Sequence, residues 1–279
     1  MDWPLLRGGA RYITGTRDQA TSQSVQLPAT GVANTKGPWT EVCANVTMRC
    51  HALSIVFGTF GTDNTNYLID IGVADQGSPS NENIIIPNLL LGNGLAENNG
   101  WHVVFLVDIP AGKRLMARHQ STAAADTCRI AVDPISHGWH APRSPSKILA
   151  WGLDASVTGG TQVPPPGVAN TKGNWVQLKD ATEAPVKRLW LAFGDNKTAR
   201  ATRHLLFDIA IEGPGSPSST AIIIPDLMVK IDNTQDMQSP GIIGPLDVQI
   251  PAGVKLMARC QCDQTSGATL DVAAYGGVL

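Results

Sequence analysis

The sequence predicts an all-β protein built from two tandem, homologous β-sandwich domains of jelly-roll-like topology. Apolar residues alternate with polar ones over short runs, as in strands with one face in a core. Such runs recur roughly every 10 to 15 residues between clusters of glycine, proline and asparagine, and no segment sustains the period of a helix. The whole pattern then occurs twice in the same order, which makes the chain a tandem duplication.

In the first copy, Gly31-Val-Ala-Asn-Thr-Lys-Gly37 reads as a turn entering a strand that carries Trp39. Asparagine and glycine tolerate left-handed backbone, and the asparagine side chain can close its own turn. It is no phosphate loop, because the Gly-x-x-x-x-Gly-Lys-Ser/Thr spacing is absent. Leu53, Ile55 and Phe57 alternate along the next strand, and Tyr67, Ile69, Ile71 and Val73 line one face of the one after it. Gly77-Ser-Pro-Ser80 punctuates the chain before the Ile84-Ile-Ile-Pro87 strand, and Val103 to Val107 is a short apolar run. Ile109-Pro-Ala-Gly112 is a strand end running into a tight turn, since proline cannot continue a central ladder, and a new strand begins at Leu115. Roughly seven to nine strands in a unit of this length suit a two-sheet sandwich.

The second copy repeats these landmarks. Gly31–Gly37 recurs unchanged as Gly167–Gly173, followed by Trp175 in place of Trp39. Gly215-Ser-Pro-Ser218, Ile222-Ile-Ile-Pro225, Ile250-Pro-Ala-Gly253 and Leu256-Met-Ala-Arg259 follow in register with their counterparts. The offsets are 136, 138, 138, 141 and 141, so the copy lengthens only in loop-like segments. Leu189, Leu191 and Phe193 alternate as in the first copy, as do Phe207, Ile209 and Ile211. The expected division is an arm over residues 1–9, a sandwich over 10–133, a stiff proline-rich linker over 134–145 and a second sandwich over 146–279.

Composition excludes several classes. Net charge is −2 and charged residues are 16% of the chain, which leaves no basic footprint for nucleic acid. The 43% apolar content argues against a disordered chain. No apolar stretch approaches the roughly 20 residues of a spanning helix. The amino terminus has no basic start followed by an apolar segment, so synthesis in the cytoplasm without a signal peptide is the expectation. Five cysteines, an odd number, do not read as a disulfide framework. Cys260 and Cys262 share one side of a strand as small buried residues, and no further ligands sit at zinc spacing. His137 and His140 also lack further ligands nearby, so neither metal nor cofactor is expected.

Asp70 and Asp208 occupy the same repeat position inside apolar strands, and Arg118 and Arg259 repeat with them. Each unit supplies one acid from the motif, which argues against a catalytic carboxylate pair. A buried Asp–Arg pair in each unit, satisfying an otherwise costly charge, is the expectation. No Gly-x-Ser-x-Gly elbow or His-Glu-x-x-His is present, so the chain is not expected to be an enzyme. Trp39 and Trp175 repeat and read as core or inter-sheet plugs. Trp3, Trp101, Trp139, Trp151 and Trp190 have no repeat partner. Of these, Trp139, Trp101 and Trp190 are the candidates for sugar stacking or protein docking. Trp3, Leu5 and Leu6 form an apolar stretch suited to an arm that docks on a neighbouring subunit.

Taken together, Ala-Asn-Thr-Lys-Gly-x-Trp, an Asp-Ile-Gly-Val-like strand followed by Ile-Ile-Ile-Pro, and Ile-Pro-Ala-Gly-x-x-Leu-Met-Ala-Arg resemble a family of tailed-bacteriophage virion proteins. The resemblance covers both units. It implies a non-enzymatic structural protein of the virion, a tail or tail-fibre component that assembles with itself as a homo-oligomer and with neighbouring virion proteins. Capsid decoration or a head spike is the alternative within that class. A carbohydrate-binding receptor module contacting host surface glycan is the alternative outside it.

Overall fold

Alternating runs become paired strands throughout the computed structural model, which describes residues 17–18, 23–60, 65–77, 82–93, 101–136, 144–195, 202–213, 220–232, 237–239, 241–265 and 269–279. The first unit contains β1 (Arg17–Asp18), β2 (Gln23–Leu27), β3 (Thr40–Cys43), β4 (Cys50–Phe60) and β5 (Thr65–Asp75). It continues with β6 (Asn83–Asn93), β7 (Trp101–Ile109), β8 (Lys113–Ser121) and β9 (Cys128–Ile135). The second contains β10 (Lys147–Trp151), β11 (Leu153–Asp154), β12 (Gly159–Val163), β13 (Val176–Lys179), β14 (Val186–Asp195) and β15 (Arg203–Glu212). It ends with β16 (Thr220–Asp232), β17 (Met237–Ser239), β18 (Ile242–Ile250), β19 (Lys255–Cys262) and β20 (Leu270–Val278).

Four antiparallel sheets result, two in each unit. The first unit pairs β1-β2-β9-β4-β7 in one sheet and β3-β8-β5-β6 in the other. The second repeats this as β11-β12-β20-β14-β18, with β10 also on β20, and β13-β19-β15-β16-β17. Removing the short edge strands leaves the same eight-strand order in both, the two interlocked Greek keys of a jelly roll. Two β-sandwich domains therefore stand in tandem. Strand β9 runs to Ile135, with Pro134 opposite Leu53, so the ladder continues past residue 133. Its other neighbour, β2, reaches only as far as Ile130, and a proline is tolerated on such an edge.

The inward alternation supplies each core. Leu53, Ile55, Phe57, Tyr67, Ile69 and Ile71 are buried in the first unit. Leu189, Leu191, Phe193, Phe207 and Ile209 are buried in the second, where Phe193 meets Phe207 across the sheets at 5.1 Å between centroids. Two strands lose the alternation. Every residue of β5 except Asp75 is buried, and so is all of β20 except Val278. Their outward faces are covered too, by side chains and by the neighbouring unit. Trp190, Ala192, Ala273 and Tyr275 of the second unit accordingly belong to the core cluster of the first.

Candidate functional site

The residues that repeat assemble into one node per unit, on the outer face of the β3-β8-β5-β6 sheet and its counterpart. The Ala-Asn-Thr-Lys-Gly turn is hung along the neighbouring strand. Asn34 N–H donates to Ser121 O at 2.8 Å and Gly37 N–H to His119 O at 2.8 Å. Asn170 and Gly173 do the same to Cys262 O and Cys260 O at 2.7 and 2.8 Å. Asn34 and Asn170 both adopt φ of 56°, the left-handed conformation asparagine accepts more readily than most residues. The turn thereby brings Lys36 and Lys172 over the aspartates.

Asp70 stands directly across from Arg118 in the β5–β8 register, and Asp208 from Arg259 in β15–β19. Arg118 Nε donates to Asp70 Oδ2 at 2.8 Å, and Arg259 Nε to Asp208 Oδ2 at 2.9 Å. Lys36 Nζ lies 3.1 Å from Asp70 Oδ1, and Lys172 Nζ 2.8 Å from Asp208 Oδ1. The second oxygen also accepts a backbone N–H, from Asn88 at 2.8 Å in one unit and Asp226 at 2.9 Å in the other. Asn88 and Asp226 follow prolines, take φ of 48° and sit where the β5–β6 and β15–β16 registers slip. A bulge frees an N–H from the ladder, and the aspartate receives it.

Electrostatics follow from this packing. Burial draws the Lys36 ammonium down to about 8, against the opposing pull of Asp70. Burial pushes the Asp208 carboxyl up, but the Asp226 N–H, Lys172 and Arg259 outweigh it and hold the group below its ordinary value. Each guanidinium is also stacked on the repeated tryptophan, Arg118 at 4.4 Å from the Trp39 ring and Arg259 at 4.3 Å from that of Trp175. The two tryptophans are thus not core or inter-sheet plugs. They are half-buried lids on the outer face, because the turn delivers them there. A Cβ at Gly72 would come within 3.2 Å of the Trp39 ring, so the strand is bare where the indole lies.

Trp190 is fully buried and offers no stacking surface, which corrects its reading as a binding residue. Its ring stacks on Phe105 at 4.8 Å between centroids, and its Nε1–H donates to Val104 O at 2.8 Å. The physical reason is that its strand face is covered by the first unit. Trp101 begins β7, paired with Phe57; its side chain, together with Trp139, Trp3, Leu5 and Leu6, lies outside the described residues.

Trp190 belongs to a seam between the units that includes residues the repeat motifs do not mark. Tyr275 Oη donates to Asn88 O and accepts the Leu90 N–H, both at 2.7 Å. Asn66 Nδ2 donates to Asp271 Oδ2 at 2.9 Å. Gln120 Nε2 reaches Ala155 O at 2.7 Å and Thr158 Oγ1 at 2.8 Å. Leu90 is seated between two glycines of the second unit: a Cβ at Gly160 would lie 3.0 Å from its Cδ2, and one at Gly194 3.2 Å from its Cδ1. A signal for the seam exists in the sequence. Register places Ser54 opposite Asp133 in the first unit where Trp190 faces Tyr275 in the second, so a polar pair has become an aromatic one.

Other polar clusters are engaged within the fold. A shallow cleft between β5, β6 and β7 is lined by Asp75, Asn83, Asp108 and Lys113. Lys113 there hydrogen-bonds Asp75, and Arg49 clasps Asp108 with two bonds of 2.8 and 2.7 Å. Among the described residues no three His, Cys, Asp or Glu side chains gather as metal ligands would. Among the described residues no helix is long and apolar enough to cross a membrane.

No family model matches the chain, and no curated protein matches it. Among solved structures it is similar to PNGF-II in a P21 space group, with a TM-score of 0.37 and 11% identity. That likeness covers 96% of this chain and 64% of the other. It is also similar to the N-terminal CBM22-1-CBM22-2 tandem domain of Paenibacillus barcinonensis Xyn10C, with a TM-score of 0.27 and 13% identity over 94% of this chain and 89% of that one. At such scores neither likeness bears on what this chain binds.

Proposed function

We propose that the chain is a non-enzymatic structural protein of a tailed-phage virion, a component of the tail or its fibres that acts by assembly and docking. The resemblance of the doubled motif to virion proteins supports this reading, and the carrying observation is the state of the repeated charged residues. Each aspartate of the nodes already accepts from an arginine, a lysine and a backbone N–H, so it is engaged in holding the fold. The outer sheet face of the second unit, by contrast, is packed against the first unit of the same chain. Immunogold labelling of phage particles with an antibody to this chain tests the proposal. Gold on the tail supports it, gold spread over the head assigns the chain to capsid decoration or a head spike, and unlabelled intact and opened particles refute it.

A second reading, a carbohydrate-binding receptor module, draws on the position of Trp101 at the start of a strand, where sandwich rims carry binding sites. It predicts binding to soluble host surface polysaccharide that is lost on Trp101→Ala or Trp139→Ala. Undiminished binding in both variants, or none by the parent protein, removes that reading.

A further inference from the structure

The seam between the units is head-to-tail. It joins the outer β5–β6 face and the β7 edge of the first sandwich to the outer β12-β20-β14 face of the second. Because the units are copies, the same two faces recur once more, on the sides of the tandem that the seam leaves uncovered. In the first unit Asn66, Leu68, Leu90 and Gly92 are all buried on the receiving face. Register places Leu68 opposite Leu90 and Leu206 opposite Met228, so Met228 stands where Leu90 does. Leu90 is 0% exposed and Met228 is 59% exposed. His204, which stands where Asn66 does, is exposed as well.

We propose that this receiving face of the second unit, centred on Met228, docks the first unit of a second copy of the chain, repeating the internal seam between molecules. The inference rests on the assembly role proposed above and names its partner and surfaces. The inserting face of the first unit is β2-β9-β4, whose accessible outward residues include Val56 and Ala131. Ser54 and Asp133, in the places of Trp190 and Tyr275, are buried, and Ser54 hydrogen-bonds His102. Val56 occupies the place of Ala192, a residue buried in the internal seam. The glycine that seats Leu90, Gly194, has its counterpart in Gly58, where an added Cβ would meet only its own sheet, Arg129 Cβ at 3.5 Å and Ser24 Oγ at 3.6 Å. Ser24 stands where Gly160 does, so the place offered to Met228 is bounded by one glycine and one serine.

The polar partners change in step on both faces. The internal seam joins Asn66 to Asp271. In the outer pair, Asn66 is replaced by His204, held 2.8 Å from Asp263, and Asp271 by Arg129, which rests on Ser24 O and Gln26 Oε1 at 3.1 Å each. Exposed Asp226, two residues before Met228, is ion-paired with Lys172 at 2.7 Å. Lys230, across from His204 in the register and in the place of Gly92, adds a cation, so the receiving face carries both signs of charge where it meets Arg129. Such heterologous contacts close into a ring or grow as a filament, depending on the rotation between copies.

Light scattering after size exclusion, run on the full chain over a wide dilution series, tests this with Met228→Glu and Val56→Arg. The parent protein is expected to exceed monomer mass, as one discrete species for a ring or a growing distribution for a filament. Each variant alone is expected to be a monomer with the parent's melting temperature. An equimolar mixture of the two retains one intact pair of faces and is expected to stop at a dimer. Self-association of Val56→Arg at the parental level would instead mean that Met228 patches pair symmetrically, which overturns the head-to-tail surface. A mixture that stays monomeric, or a parent that is monomeric throughout, overturns it too. Should Met228→Glu fail to fold, Met228→Lys puts a charge at the same point and gives the same reading. A monomeric parent that still labels the phage tail would end this inference while leaving the virion role intact.

Discussion

Replacing Trp190 with alanine removes a fully buried indole from between two sandwiches, and its cost can be worked from its contacts. The ring loses its stack on Phe105 at 4.8 Å, and Val104 O loses a donor at 2.8 Å. Truncating a buried aromatic to alanine costs about 3–5 kcal/mol where the surroundings collapse only in part. The orphaned carbonyl adds about 1 kcal/mol if water does not reach it. For a chain of this size each kcal/mol lowers the melting temperature by about 2–4 °C, so a fall on the order of 10 °C is expected. The loss is also localised. The indole belongs to the seam, so Trp190→Ala should separate one unfolding transition into two as the units come uncoupled. Scanning calorimetry reads both effects. A melting temperature within about 1 °C of the parent, with a single unchanged transition, would refute the claim that this residue joins the units.

Asp208→Asn keeps an acceptor for the Asp226 N–H but leaves Arg259 without its counter-charge and Lys172 with the exposed Asp226 alone. Both cations remain partly exposed, at 21% and 25%, so water relieves part of the loss and about 2 kcal/mol of destabilisation is expected in urea. The parent's acid limb should carry the same group: its lowered carboxyl contributes stability above the ordinary aspartate range that is lost as pH falls through the lowered value. Asp208→Asn should flatten that limb, and an unchanged acid midpoint would contradict the assignment. At alkaline pH Lys36 contributes a slope of the same sign from a different cause, since burial disfavours its charged form. The folded Lys36 releases its proton near pH 8 and the unfolded chain near 10.5, so this group contributes a rise in stability of at most about 3 kcal/mol over that window. That rise is set against the fall contributed by the buried thiols, and Lys36→Met should make the net slope more negative. All five cysteines are buried, and burial pushes the Cys50 and Cys260 thiols up to about 11 and about 12. Ellman's reagent should therefore react slowly with the native protein and fully after denaturation; rapid native labelling of Cys50 would show an open core.

Alternation along Tyr67–Val73 and Leu189–Phe193 carried the fold class, because a period of two has one physical cause in a sandwich. The duplication extended that reading to both units. The partnership of Asp70 with Arg118 was legible in their joint repetition, since a buried charge must bring its counter-charge with it. Lys36 and the Asn88 N–H were not legible in the same way, as nothing in the sequence says that a turn 34 residues upstream folds back over the strand. Trp190 shows the limit most clearly. A tryptophan without a repeat partner marks a surface private to one unit, and both a ligand site and an internal seam fit that description. Only the three-dimensional arrangement of the units distinguishes them. Trp39 and Trp175 were misplaced for a related reason: repetition shows a structural role but not which side of a sheet a side chain covers.

The unequal character of the two outer faces has a consequence for how the protein is made. Trp190, Tyr275, Ala192, Ala273 and Ile148 form the more adhesive surface, and it lies on the half of the chain that leaves the ribosome last. Domains are generally completed from the amino terminus during synthesis, at about 5–20 residues per second. The first sandwich is therefore available as a finished template when those side chains emerge, and the face they form can be covered as soon as its last strand, β20, is made. With the halves in the opposite order, the same aromatic face would wait uncovered for many seconds beside neighbouring nascent chains. The direction of translation itself keeps the stickiest surface of this protein out of reach of wrong partners.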